Sequence, residues 1–166
     1  DQLNRRAERG LSAFHQAHRF VLNGVFDTAA KGAFLRNWQF APILIASSWR
    51  PFNVLTGADY AGGDGYVNNK RPAHLARNMG QGPGYFTIDG RVSRKFSINE
   101  RMRLEFIGEV FNLANKVNFR TVNNVVGDVA VSTLPNPIVG RRGDPTLPLS
   151  YTSAQNPRQF QFGMKI

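Results

Sequence analysis

The chain has 166 residues, 42% of them hydrophobic and 19% charged, with no cysteine and a formal net charge of +10. That length fits one ordinary domain, and the composition is too apolar for wholesale disorder. No run approaches the ~18 apolar residues of a membrane-spanning helix, and the lack of Cys excludes a disulfide framework, a thiolate zinc site and an iron–sulfur cluster.

Basic residues are scattered, and only Arg5-Arg6 and Arg141-Arg142 approach clusters. Nucleic-acid binders gather such charge into stripes or blocks, so no nucleic-acid partner is expected. The chain begins at Asp1 without a basic stretch leading into an apolar one. It is therefore expected to be a mature product or a piece of something longer.

Residues 3–16 have poor helical spacing and are interrupted by Gly10. Everything after them reads at period two, the strand period. A first strand is predicted at 18–28, with Phe20, Leu22, Gly24 and Phe26 on one face. A second is predicted at 37–55, with Trp38, Phe40, Pro42, Leu44 and Ala46 on one face and with Pro42 and Pro51 costing it ladder donors. The third, at 85–96, puts Phe86, Ile88, Gly90, Val92 and Phe96 opposite Thr87, Asp89, Arg91, Ser93 and Lys95. The fourth, at 102–113, sets Leu104, Phe106, Gly108 and Val110 against Arg103, Glu105, Ile107 and Glu109. The fifth, at 158–166, sets Phe160, Phe162, Met164 and Ile166 against Gln159, Gln161, Gly163 and Lys165.

The connectors alternate short (29–36), long (56–83), short (97–101) and long (114–157). Antiparallel neighbours would then share short turns at one end and long loops at the other, the asymmetry of outer-membrane barrels. Periodicity alone also permits a soluble sheet, with the charged face in water and the apolar face on a core. Strand length and the aromatic residues near strand ends (Phe20, Phe26, Trp38, Trp49, Phe86, Phe96) lean toward lipid.

The ordered set Ser12-Ala-Phe-His-Gln-Ala-His-Arg-Phe-Val-Leu-Asn-Gly-Val, Asn37-Trp-Gln-Phe, Trp49-Arg-Pro-Phe-Asn-Val-Leu-Thr-Gly, Asp64-Gly65, Asn69-Lys-Arg-Pro72, Arg77-Asn78, Gly82-Pro-Gly-Tyr-Phe86, Glu109-Val-Phe-Asn-Leu-Ala-Asn115 and Pro157-Arg-Gln-Phe-Gln-Phe-Gly-Met-Lys-Ile166 resembles the C-terminal barrel region of TonB-dependent outer-membrane receptors, closest to their Oar-like branch. The resemblance implies an all-β antiparallel meander of five transmembrane strands within a plugged barrel of about 22 strands. It also implies residence in the outer membrane of a Gram-negative-type bacterium. Implied partners are outer-membrane lipid and lipopolysaccharide, the plug and other strands of the same receptor, TonB acting through a plug segment absent here, and the barrel-assembly machinery. Gln161, Gly163 and Ile166 fit three positions of a final-strand assembly signal whose terminal aromatic would lie two residues further on, so truncation at both ends is expected.

Loop 56–83 holds Asp59, Asp64, Asn68, Asn69 and Arg71, candidate ligand contacts whose oxygens could wrap Ca²⁺. Plain turn chemistry explains the same residues. The charged face of the strands offers Asp89, Arg91, Lys95, Arg103, Glu105 and Glu109 as lumen-facing groups, with cross-strand pairing as the simpler role. Arg94 falls on the apolar face near a strand end, where it could reach headgroups. Basic residues of the long loops (Arg5, Arg6, Arg9, Lys70, Arg71, Arg77, Arg141, Arg142) would meet lipopolysaccharide phosphates. His15, His18 and His74 lack metal-ligand spacing and no catalytic constellation stands out, so no enzyme activity and no resident cofactor are expected. The expected function is the wall and surface loops of an energised transporter. The alternatives are a soluble basic β-protein gripping a polyanion such as nucleic acid, and an autonomous small barrel.

Overall fold

The computed structural model describes residues 8–29, 32, 36–57, 70–127 and 129–166. They form ten strands: β1 (Arg19–Asn23), β2 (Phe26–Asp27), β3 (Trp38–Ser47), β4 (Pro51–Phe52), β5 (Gly80–Gln81), β6 (Tyr85–Ser97), β7 (Arg103–Phe111), β8 (Phe119–Val122), β9 (Tyr151–Ala154) and β10 (Gln159–Lys165). Among the described residues the only helical element is a 3₁₀ turn at Val131–Thr133. Among the described residues no helix is long and apolar enough to cross a membrane. The chain divides into two compact units, a sheet unit (19–47, 85–117, 156–166) and a loop unit (8–18, 48–84, 118–155 among the described residues).

The sheet unit is an antiparallel meander in the order β1-β3-β6-β7-β10, with β2 also on β3. All five strands expected from period two are present, and the fold class is as read. Two bounds differ for physical reasons. The strand expected at 18–28 is broken between β1 and β2, although both keep one register on β3: Asn23 faces Ile43 and Phe26 faces Phe40. At the break, Gly24 donates its N–H to the Pro42 carbonyl at 3.3 Å, and Pro42 has no N–H with which to complete the pair. The strand expected at 37–55 ends at Ser47. Beyond it, Ser48 turns to His18, exchanging backbone N–H and hydroxyl bonds with it, and Pro51–Phe52 pairs instead with Gly80–Gln81.

The long surface loops expected at 56–83 and 114–157 supply most of the loop unit. Its described residues have their own apolar core of Val54, Leu75, Val126, Ile138 and Leu149, with Val54 only 1% exposed. Two short pairs, β4–β5 and β8–β9, frame it. Asparagines tie its segments together. Asn78 sits at φ 56°, donates its backbone N–H to Asn53 Oδ1 (2.8 Å) and donates Nδ2 to the Leu11 carbonyl (2.6 Å). Asn124 Nδ2 donates to the Asn53 carbonyl at 2.7 Å. These side chains satisfy backbone groups that no ladder reaches.

Candidate functional site

Strand registers place side chains in rows across the sheet. One face carries Phe20–Ala46–Phe86, Leu22–Leu44–Ile88, Pro42–Gly90–Val110–Phe160, Phe40–Val92–Gly108–Phe162, Trp38–Arg94–Phe106–Met164 and Phe96–Leu104. Every strand contributes its apolar set to that face. A one-residue slip in any strand would have sent that set to the other side. The opposite face carries Ile43–Asp89, Ala41–Arg91–Glu109–Gln161, Gln39–Ser93–Ile107–Gly163, Lys95–Glu105–Lys165 and Ser97–Arg103.

The apolar face is exposed where a water-soluble sheet would bury it. Phe162 on the apolar face is 86% exposed, whereas Thr87 and Ser93 on the polar face are 3% and 2% exposed. Phe20, Leu22, Phe26, Phe106, Phe160 and Met164 are exposed as well. An apolar area of this extent on a water-soluble protein would be a liability. In a membrane barrel it is the required outer surface. The rest of the polar face is mixed: Val21 and Ile43 are exposed near β1, and Arg91, Lys95, Arg103, Gln161 and Lys165 are exposed further along the sheet.

The band has the dimensions of a bilayer crossing. From Phe86 to Phe96 the strand β6 runs roughly 34 Å at about 3.4 Å per residue. A barrel tilt of about 40° brings this to roughly 26 Å, against an apolar band about 25 Å tall in such barrels. Both ends carry aromatic rings capped by cations. At one end Lys116 Nζ lies 5.1 Å from the Phe86 ring centroid. At the other, the Arg94 guanidinium lies 5.2 Å from Trp38 and 4.6 Å from Phe96, while Phe96 and Phe106 meet edge to face at 5.7 Å. This is the interfacial arrangement of aromatic belts and long basic side chains.

All six expected lumen-side residues share the polar face. Arg91 and Glu109 are direct cross-strand partners with 3.8 Å between Nη1 and Oε1. Glu105 lies in register between Lys95 and Lys165, and Arg103 sits opposite Ser97 at the turn end. Asp89 is held by structure: its Oδ1 accepts the Thr87 hydroxyl and the Asn112 N–H, both at 2.8 Å. Gln161 and Gly163 share this face, facing Glu109 and Ile107. Ile166 lies just past β10 and is exposed.

Of the loop candidates, Asp59, Asp64, Asn68 and Asn69 lie outside the described residues. Arg71 forms a bidentate pair with Glu8, Nη2 to Oε1 at 2.7 Å and Nη1 to Oε2 at 3.2 Å. Chiefly through that hydrogen bond, with Arg71 and Arg77 charge adding to it, the Glu8 carboxyl is held below its ordinary range. Among the described residues no group of three His, Cys, Asp or Glu is placed to hold a metal ion.

Sequence reasoning missed the turn that closes β7. Asn112 (φ 52°) and Asn115 (φ 49°) both adopt left-handed backbone, which asparagine tolerates better than other residues with a Cβ. Asn112 Oδ1 accepts the Lys116 N–H (3.1 Å) and its Nδ2 donates to the Lys116 carbonyl (3.0 Å). Asn115 Oδ1 accepts the Arg158 N–H at 3.2 Å, steering the chain into β10. The signal was the spacing within Phe111-Asn-Leu-Ala-Asn115. The loop unit also holds an unforeseen cavity of about 480 Å³, lined by Val126, Leu134, Pro137, Val139 and Leu149, with Arg141 among its walls.

A family model described as an outer membrane beta barrel domain matches residues 68–161, more than half of the chain. No curated protein and no solved structure matches it.

Proposed function

The chain belongs to the outer membrane beta barrel domain family and resides in the outer membrane, and from that premise we propose that it forms wall strands and surface loops of a TonB-dependent transporter for a scarce solute. The observation that carries this reading is the exposed apolar face, which gathers Phe20, Leu22, Phe26, Phe106, Phe160 and Met164 on one side of the sheet, while Thr87 and Ser93 on the other are buried. The larger receptor is favoured over an autonomous barrel by the strand count. Among the described residues five strand lines end in the edges of β1 and β10, whereas closure around packed side chains takes about eight. Exposed edges are a hazard that barrels remove by closing, so further strands are expected to complete the wall. The ordered motifs that resemble the C-terminal region of such receptors favour TonB coupling.

In this role the segment performs no bond chemistry. Its polar face contacts the plug or lines the solute's path, and the loop unit offers solute contacts, with the cavity beside Arg141 as the candidate surface. Lipopolysaccharide meets the outer cations, and the barrel-assembly machinery reads the last strand. The test is capture of purified TonB C-terminal domain by the full gene product extracted from outer membranes. Capture that an excess of a peptide carrying the receptor's own N-terminal segment abolishes is the expected result. A protein that enters the membrane, shows heat-modifiable mobility and captures no TonB overturns the transporter reading.

A further inference from the structure

The cavity of about 480 Å³ lies wholly within the loop unit, among residues 126–149. That size suits a small molecule. The segment around it is a long connection between wall strands, of the kind that outer-membrane barrels carry on the cell surface, where a solute arrives. Its floor is the apolar core itself, since Val126 and Leu149 are 7% and 4% exposed and also line it. Val129 and Leu134, packed against that core, stand as walls. Pro135, Pro137 and Pro148 add to the lining, each with a backbone φ fixed by its ring.

Arg141 is the one charged residue among the described residues that line the cavity. Its backbone is held on both sides: its N–H donates to the Leu149 carbonyl at 2.8 Å, and its carbonyl accepts the Tyr151 N–H at 2.9 Å. Gly140 before it lies so close to β9 that a Cβ there would stand 2.7 Å from Tyr151 Cε1. The side chain has no such anchor. Among the described residues Arg141 has no carboxylate or ring partner. Asp144, the described carboxylate nearest in sequence, accepts the Thr146 N–H at 2.9 Å and its hydroxyl at 2.7 Å. The adjacent Arg142 lies over the Phe119 ring at 5.3 Å instead. Thr133, also in the lining, donates its hydroxyl to the Ala130 carbonyl at 2.7 Å. The cavity therefore offers a rigid apolar bed beside a single unengaged cation.

We propose that this cavity binds a small apolar monocarboxylate, its carboxylate on the Arg141 guanidinium and its hydrocarbon body on Val126, Leu134 and Leu149. One guanidinium matches one carboxylate through two parallel N–H···O bonds. A phosphate monoester carries nearly two charges and three acceptor oxygens, more than this lining answers. The site deepens the transporter reading above by naming the class of solute, and rests on it for the step from binding to uptake.

The full gene product extracted from outer membranes is placed in phosphatidylcholine nanodiscs, with empty nanodiscs as the blank. Calorimetric titration compares 4-phenylbutyrate, its neutral amide and 4-phenylbutyl phosphate. The carboxylate should bind about tenfold tighter than the amide, the effect of one charge-assisted pair. Arg141 is exposed, so Arg141→Gln should leave the fold intact and bring carboxylate and amide to equal affinity. Arg142→Gln should leave the preference unchanged. Val139→Trp, which fills the cavity from a lining position 39% exposed, should abolish binding of both. Absence of carboxylate binding, equal affinity for the amide in the parent protein, tighter binding of the phosphate, or a preference that survives Arg141→Gln overturns the site. TonB capture by the same preparation separates the two claims. Capture without carboxylate binding overturns the site and leaves the transporter reading standing, whereas Arg141-dependent binding without capture upholds the site and overturns uptake.

Discussion

Asp89 Oδ1 accepts the backbone N–H of Asn112 at 2.8 Å, joining the middle of β6 to the turn that ends β7. The same oxygen accepts the Thr87 hydroxyl, and Leu113 donates its N–H to the Ile88 carbonyl beside it at 2.8 Å. A carboxylate read from sequence as a lumen-facing charge is thus part of the frame that fixes where a strand stops. Asp89→Ala removes the acceptor from two donors in a part-buried position and should lower stability by about 2 kcal/mol. Asp89→Asn keeps an acceptor oxygen and should lose less. Urea unfolding of the protein in lipid vesicles measures both.

Asn112 serves the same turn in two ways, through its left-handed backbone and its side-chain bonds to Lys116. Asn112→Gly preserves the first and loses the second. Asn112→Ala loses both, so it should be the more destabilising by about 1 kcal/mol. Equal losses in the same unfolding assay would show that backbone strain plays no part.

The middle of the apolar band should reject what its edge accepts. Val92 lies one row in from Arg94, between Phe40 and Gly108 in register. Val92→Arg should cost about 2–4 kcal/mol, against about 0–1 kcal/mol for a cation at the interface. If Val92→Arg unfolds at the parent's urea midpoint, the apolar face does not meet lipid.

How much of this was legible in the chain follows from the physics of each part. The assignment of faces was readable because strand side chains alternate strictly. Phe86, Ile88 and Val92 declared their side without reference to any other strand, and the structure keeps Leu104, Phe106 and Phe160 with them. The break at Gly24 was half visible: Pro42 announced a missing donor but not which neighbour would feel it. The loop unit was not legible at all. Val54, Leu75, Val126, Ile138 and Leu149 come from segments far apart in sequence, without periodicity. The asparagines that bind those segments look like ordinary loop composition until their φ angles are known.

Glu8 and Arg71 make a pH-sensitive link within the loop unit. The Glu8 carboxyl titrates below its ordinary 4.5 when paired. The pairing therefore contributes fully above that value and is lost as pH falls through the lowered one. Acidification below about 4.5 should speed proteolysis of the segment after Arg71 relative to neutral pH. Glu8→Gln should show the faster rate at every pH, and a parent rate independent of pH would remove the link.

Gly163 separates packing from recognition. A Cβ there would meet only Ile107 Cβ at 3.9 Å, an ordinary contact, so Gly163→Ala should leave the unfolding midpoint unchanged. If the assembly machinery reads Gln161, Gly163 and Ile166, the amount of folded protein reaching the outer membrane should nevertheless fall severalfold. Unchanged surface abundance would show that this glycine carries no such signal.

Pro42 faces the gap between β1 and β2, where the missing donor does least harm. Sliding the neighbouring strand two positions either way keeps every greasy residue outward, so hydrophobicity cannot distinguish those alignments. In each the imino acid still lacks its N–H, but it would face Leu22 or Phe26 instead of Gly24, so the break would fall on a residue with a bulky side chain. A single ring thereby acts as an index mark, selecting one alignment out of several that would look equally good to the surrounding lipid.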